Sequence, residues 1–148
     1  MSDETSLPAL QRTLAAEHAA VYVLGVLGGR AAVLGESPLR PALATAYDVH
    51  LARRNQLRLM VTAAGADPDA AEPAYDVPRE VTTPGQITAE ALCVERACVS
   101  TYAALVAATT GADRAWAVDA LSAGALAELT FGGPPLPLPG LPAGFARA

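Results

Sequence analysis

Lysine is absent from the 148 residues, and all ten cationic side chains are arginine. That bias points to a GC-rich genome rather than to a chemistry. With a net charge of −5 and no basic tract, the chain lacks the footprint of a dedicated nucleic-acid surface. Aromatic residues are only 5% of the chain and there are two cysteines, Cys93 and Cys98. Five positions apart on a helix, the two thiols lie about 140° from each other and should not bridge. Two buried thiols in a reducing compartment are expected, with a redox pair as the sharper alternative. Long apolar runs are also missing. The longest, Ala19 to Gly29, is closed by His18 and Arg30 and is too short to span a bilayer. The polar, acidic start Met1-Ser2-Asp3-Glu4-Thr5-Ser6 is unlike a secretion signal. No glycine-rich nucleotide fingerprint is present either: "GVLGGR" at 25–30 falls inside a helical pattern, where its glycines permit close helix contact.

What the chain does have is alanine and helical periodicity, enough for one domain with a real core. The pattern predicts an all-α four-helix bundle with helices over about 7–34, 38–64, 85–110 and 112–130, followed by a tail at 131–148. Pro8 sits in the first opening turn, Ser37 reads as an N-cap before Pro38, Gly65 as a C-cap, and Thr83-Pro84 opens the third helix. Short breaks between helices one and two, and between three and four, force antiparallel pairs. The stretch from Ala66 to Pro84 has four prolines and no helical period. Its 19 residues can extend about 65 Å, more than the roughly 40 Å length of a 27-residue helix. It can therefore cross the whole bundle, giving two antiparallel pairs joined by one long crossover, the ferritin-like arrangement. The tail "FGGPPLPLPGLPAGF" cannot be helical. It reads as a Pro-rich strap whose leucines need cover, with docking to a proline-recognising partner as the alternative.

Helix one carries "AAEHAAVYVLG" (15–25), and Glu17 falls directly on its apolar stripe; helix two carries His50 and Arg54 on its own stripe. Counting about 1.5 Å per residue sets Glu17 level with Arg54, and Tyr22 and Glu95 near the level of His50. The expected buried polar network is therefore Glu17 with Arg53 or Arg54, and His50 with Tyr22 and Glu95. His18 should face a groove or solvent, Trp116 should anchor the core or a subunit contact, and Arg58 should be solvated.

The motifs "AAEHAAVYVLGVLGGR", "HLARRNQL", "EPAYDVP", "VERACVSTYAALV" and "RAWAVDALSAGA" together resemble a family of bacterial ferritin-like domains of unassigned function, the DUF4439 type. The resemblance covers nearly the whole chain. It implies the fold and a bacterial cytoplasmic setting, and names no activity. Better-known ferritin-like proteins hold a carboxylate-bridged metal pair, which takes a Glu from each of two helices and Glu-x-x-His from each of the other two. Here Glu17 and Glu95 can supply the single carboxylates. Helix two offers Tyr47-x-x-His50 and helix four Asp119-x-x-Ser122, so two ligands are missing. The expectation is a non-catalytic binding or interaction module with a degenerate metal site and no cofactor. Its partner would be an unidentified protein or a second copy, without nucleic acid or membrane. Glu17, His50 and Glu95 remain as metal candidates for the alternative, a divergent iron- or manganese-binding oxidoreductase.

Overall fold

The structure, a computed structural model, describes residues 3–35 and 38–142. It is an all-helical four-helix bundle: α1 (Asp3–Val33), α2 (Leu39–Ala63), α3 (Pro84–Ala108) and α4 (Gly111–Thr130). The helix boundaries follow local chemistry. Thr83 caps α3 by accepting from the Gln86 amide while the Gln86 side chain accepts from the Thr83 amide, a reciprocal capping box with Pro84 in the first turn. Gly65, at φ +82°, ends α2: its amide donates to Thr62 and the Ala66 amide to Val61, the Schellman pattern. α1 starts earlier than expected, at Asp3, so Pro8 lies inside the helix. The expected Ser37 cap lies outside the described residues.

α1 packs against α2 and α3, and α3 against α4, while α2 and α4 touch only lightly. The crossover between α2 and α3 runs along the outside of α1. Near its start the Gln11 side chain bonds the Asp67 carbonyl and the Asp69 amide, and His18 Nε2 donates to the Asp69 carbonyl, at 3.0 Å. Tyr75 packs on Tyr22 with ring centroids 5.5 Å apart, and Arg30 holds the carbonyls of Pro78 and Val81. The segment therefore travels the bundle's length, and α3 begins at the end where α1 finishes. His18, expected in a groove or solvent, is instead buried under this segment.

The tail forms a strap along α3. The Gly133 amide donates to the Glu128 carbonyl, and a Cβ on Gly133 would press on Leu92. A Cβ on Gly140 would lie 2.6 Å from the Val99 carbonyl oxygen. Contact is made through glycine backbone, and Leu136, Leu138 and Leu141 stay about half exposed rather than covered. Of the glycines in "GVLGGR", a Cβ on Gly25 would touch the Tyr47 ring, but one on Gly28 or Gly29 would meet nothing within 4 Å among the described residues. The close helix approach is made by Gly124 on α4 instead.

The core has two apolar ends. One gathers Leu24, Leu27, Leu43, Ile87 and Phe131; the other gathers Leu10, Leu14, Leu57, Val61 and Leu105. Seven-residue steps along α1 and α2 connect them (Leu10 to Leu24 through Glu17, Leu43 to Leu57 through His50), so the stripe positions between the two ends of these helices are polar. By length and composition α3 could cross a membrane. Here its apolar face, with Glu95 on it, is turned into the bundle.

Candidate functional site: a buried carboxylate–imidazole layer

Glu17, His50 and Glu95 meet in the middle of the bundle, each at most 1% exposed. His50 Nδ1 donates to Glu17 Oε2 at 2.7 Å, and His50 Nε2 donates to Glu95 Oε1 at 3.2 Å. With both ring nitrogens donating to carboxylates, the imidazole carries two protons and a positive charge. Burial alone would push its pKa down. The hydrogen bonds to Cys98, Glu17 and Glu95, together with the charge of Glu17, outweigh burial and push it up from 6.5 to about 12.

The second oxygen of Glu17 accepts from the Tyr102 hydroxyl, and that hydroxyl in turn accepts from Arg53 Nη1 at 3.1 Å. The Arg53 guanidinium carbon also sits 5.1 Å from the Tyr102 ring centroid. Burial first, and then the Glu17 charge, push the Tyr102 hydroxyl pKa above its usual 10, so the phenol stays protonated and donates. Trp116 meets the Tyr102 ring edge-on at 6.3 Å, which makes it a core anchor of this layer. Cys98, buried beside His50, points its thiol at the Ala16 carbonyl, 3.8 Å away; burial raises its pKa as well. Donor atoms of Glu17, His50 and Cys98 lie within 4.8 Å of one another.

The layer is therefore one hydrogen-bonded chain, running from Arg53 through Tyr102, Glu17 and His50 to Glu95. Glu95 Oε2, at its end, is buried without a hydrogen-bond partner. Three expected members take other places. Tyr22 is not beside His50: it is 38% exposed and stacks on Tyr75. Five residues beyond Glu17, it sits about 140° around α1, facing the crossover. Arg54 bonds its neighbour Asn55 instead of Glu17. Arg53 reaches the network through Tyr102 and not through Glu17 directly. Cys93, expected to be buried, is exposed; both thiols are free.

Tyr102 and Cys98 were not picked out as network members from the sequence. Their signal was the spacing Glu95, Cys98, Tyr102, three residues and then four, which places all three on one face of α3. On α4, Asp119 is exposed, and the buried Glu128 pairs with Arg96 at 3.6 Å. These residues do not fit a carboxylate-bridged metal pair. The second helix lacks its carboxylate at Tyr47, α4 gives no inward ligand at Asp119, and the one available imidazole spends both nitrogens on carboxylates.

Residues 9–143 match the model of a family described as Domain of unknown function (DUF4439). A crystal structure of a conserved hypothetical protein, rv2844, from Mycobacterium tuberculosis superposes with a TM-score of 0.79 at 24% identity, covering 98% of this chain and 99% of that one. That likeness is one of fold. A comparison with curated proteins finds no match.

Proposed function

The chain belongs to the DUF4439 family, and from that premise we propose a non-catalytic, ferritin-like binding module, set in the bacterial cytoplasm, in which an internal imidazolium takes the place of a metal. One observation carries the reading: His50 sets Nδ1 2.7 Å from Glu17 Oε2 and Nε2 3.2 Å from Glu95 Oε1, a carboxylate oxygen at each ring nitrogen. Bridging carboxylates in a ferritin-type centre offset metal charge. In this chain a protonated ring stands between two carboxylates and offsets them from inside the fold. Neither ring nitrogen keeps a lone pair for a metal. The same pairing explains why so polar a layer survives in the core: the two carboxylates share one opposite charge, and each is hydrogen-bonded to it.

Elemental analysis of protein purified without chelator tests this reading. Iron, manganese and zinc should all fall well below one equivalent, and a full equivalent of any of them would overturn it. Nitrogen-15 NMR of His50 gives a second measurement, with protons expected on both ring nitrogens at neutral pH.

A second reading is favoured by the gathering of Glu17, His50 and Cys98 donors within 4.8 Å. A thiolate, an imidazole and a carboxylate suit a single transition metal such as zinc. Binding would require His50 to give up one carboxylate and Cys98 to lose its proton. On this reading zinc would raise the melting temperature of the wild type and leave Cys98→Ser unchanged. No stabilisation of the wild type by zinc removes it.

A further inference from the structure

α4 is largely apolar on two opposite faces, and the fold buries the one with the smaller side chains. Its buried residues are Ala117, Ala120, Gly124 and Glu128, three or four apart on a single stripe turned towards α3. Roughly opposite them around the helix run Ala115, Val118, Ser122, Leu126 and Leu129, and all five are exposed. The larger apolar groups therefore point outward: Leu126 is 66% exposed, and Val118 and Leu129 are 43% exposed. α4 packs on α3 and touches α2 only lightly, so no described helix covers this stripe. A helix apolar all round is one that is buried all round.

The stripe is its own complement. Ala115, Ser122 and Leu129 follow one another at heptad spacing, the repeat of a helix–helix seam. In an antiparallel pair with a two-fold axis beside Ser122, Leu129 falls opposite the partner's Ala115 and Leu126 opposite the partner's Val118. Large meets small towards the ends, and serine meets serine at the centre, where two helices can approach closely. The Ser122 hydroxyl donates to the Val118 carbonyl of its own helix at 2.8 Å, so it carries no unpaired donor into such a seam. Charge agrees with this register. Glu128 is turned inward, and Asp119 is exposed at the edge of the stripe. Arg114 comes level with Thr130 of the partner, at the end of a helix whose last turn has no basic residue. A cation there offsets the negative end of the helix dipole.

We propose that the outer face of α4 is a dimer interface, on which a second copy of this chain pairs its own α4 antiparallel about a two-fold axis at Ser122. A two-fold contact requires one patch to serve both sides, and this stripe meets that condition with its spacing, its side-chain sizes and its charge. The second copy is a partner for the binding module proposed above, and the inference rests on that reading only in needing a partner, not in the state of His50. One helix pair lies at the small end of specific interfaces, so the dimer exchanges readily and its dissociation constant falls in the micromolar range.

Sedimentation equilibrium of the full chain over a concentration series tests this. The wild type should pass from monomer to dimer and stop there. Ser122→Arg sets two like charges face to face on the axis and should weaken association at least about tenfold. Leu126→Glu should do the same independently. Both positions are exposed, so the far-UV circular dichroism of either variant should match the wild type. Cysteines read the register. In a Cys93→Ser background, which removes the exposed native thiol, Ser122→Cys should form an intermolecular disulfide on air oxidation. Ala115→Cys should not, because the two copies of that position lie about 21 Å apart along the seam. A wild type that stays monomeric at every concentration would overturn the proposal and leave the stripe to a different protein. Dimers that survive both charged variants, or cross-linking through Ala115→Cys in place of Ser122→Cys, would overturn it as well. Elemental analysis of the same samples keeps the two readings apart. A metal-free monomer sinks the dimer and spares the imidazolium bridge; a metal-loaded dimer does the reverse.

Discussion

A Cβ built on Gly124 would sit 3.3 Å from Cε2 of Tyr102, so the tyrosine that donates a hydrogen bond to Glu17 depends on a missing methyl group on the neighbouring helix. The same Cβ would come within 2.7 Å of a Val99 methyl, a distance that a buried, branched side chain cannot concede cheaply. Gly124→Ala therefore sets two effects against each other. Alanine gains about 0.8–1.0 kcal/mol of helix propensity, and overpacking costs about 1–3 kcal/mol. The expected net is a loss of about 1 kcal/mol or more by urea unfolding, with a shift in the Tyr102 ring resonances. A stabilised variant would show that α4 can back away from α3 at no cost.

Tyr102→Phe removes the hydroxyl that joins Arg53 to Glu17. The ring volume is kept, so the cost is that of an unpaired carboxylate oxygen, about 1–3 kcal/mol. Truncating Glu17 itself, as in Glu17→Ala, strands the buried His50 cation and should cost about 3–5 kcal/mol. Because the two residues act through one carboxylate, the double variant should lose clearly less than the sum of the singles. Strict additivity in the unfolding free energies would mean that Tyr102 supports the core by packing alone.

Stability should fall as pH rises above neutrality. For His50 the folded pKa, about 12, exceeds its unfolded value of 6.5. Its contribution is therefore complete below about pH 6.5 and is lost progressively as pH climbs towards 12. Folding holds one extra proton through that window, so each pH unit costs about 1.4 kcal/mol. Cys98 and Tyr102, both raised by burial, act in the same direction above about 9 and 10, where the unfolded thiol and phenol ionise. Urea midpoints measured from pH 6 upward should decline steadily for the wild type. His50→Gln should be less stable throughout and flat between about pH 7 and 9. A wild-type curve as flat as the variant's would mean that the ring is neutral in the fold.

The helices and the crossover were legible because proline and glycine mark their ends with little competition: Thr83-Pro84 and Gly65 do locally what their chemistry predicts. Glu17 and His50 were legible for the opposite reason, as polar residues interrupting stripes that should be apolar, and Glu95 by its height along its helix, level with His50. Tyr102 was hidden because a tyrosine on an apolar stripe looks like core, and its hydroxyl adds nothing to periodicity. Tyr22 was misplaced by reasoning from height along the helix without rotation about it. Height brought it level with His50, and rotation turned it to the crossover. Arg53 and Arg54 are one residue apart and differ by about 100° of azimuth, a choice that only the packed structure makes.

The strap gives the last prediction. Gly140 combines two constraints that no other described residue meets together. Its φ of +77° lies in the left-handed region, and a Cβ there would meet the Val99 carbonyl at 2.6 Å and the Ala103 methyl at 2.8 Å. One of those atoms is backbone of a buried helix and cannot rotate away. Gly140→Ala should therefore lift the strap from α3 instead of distorting the bundle. Far-UV circular dichroism should be unchanged, and the melting temperature should fall by the few degrees that about 1 kcal/mol corresponds to in a domain of this size. Limited proteolysis should cut after Phe131 faster than in the wild type. Because the strap's leucines are already half exposed, its hold on α3 comes mainly from this close glycine contact. An alanine tolerated there with unchanged proteolysis would mean that the prolines, through their own stiffness, keep the tail in place.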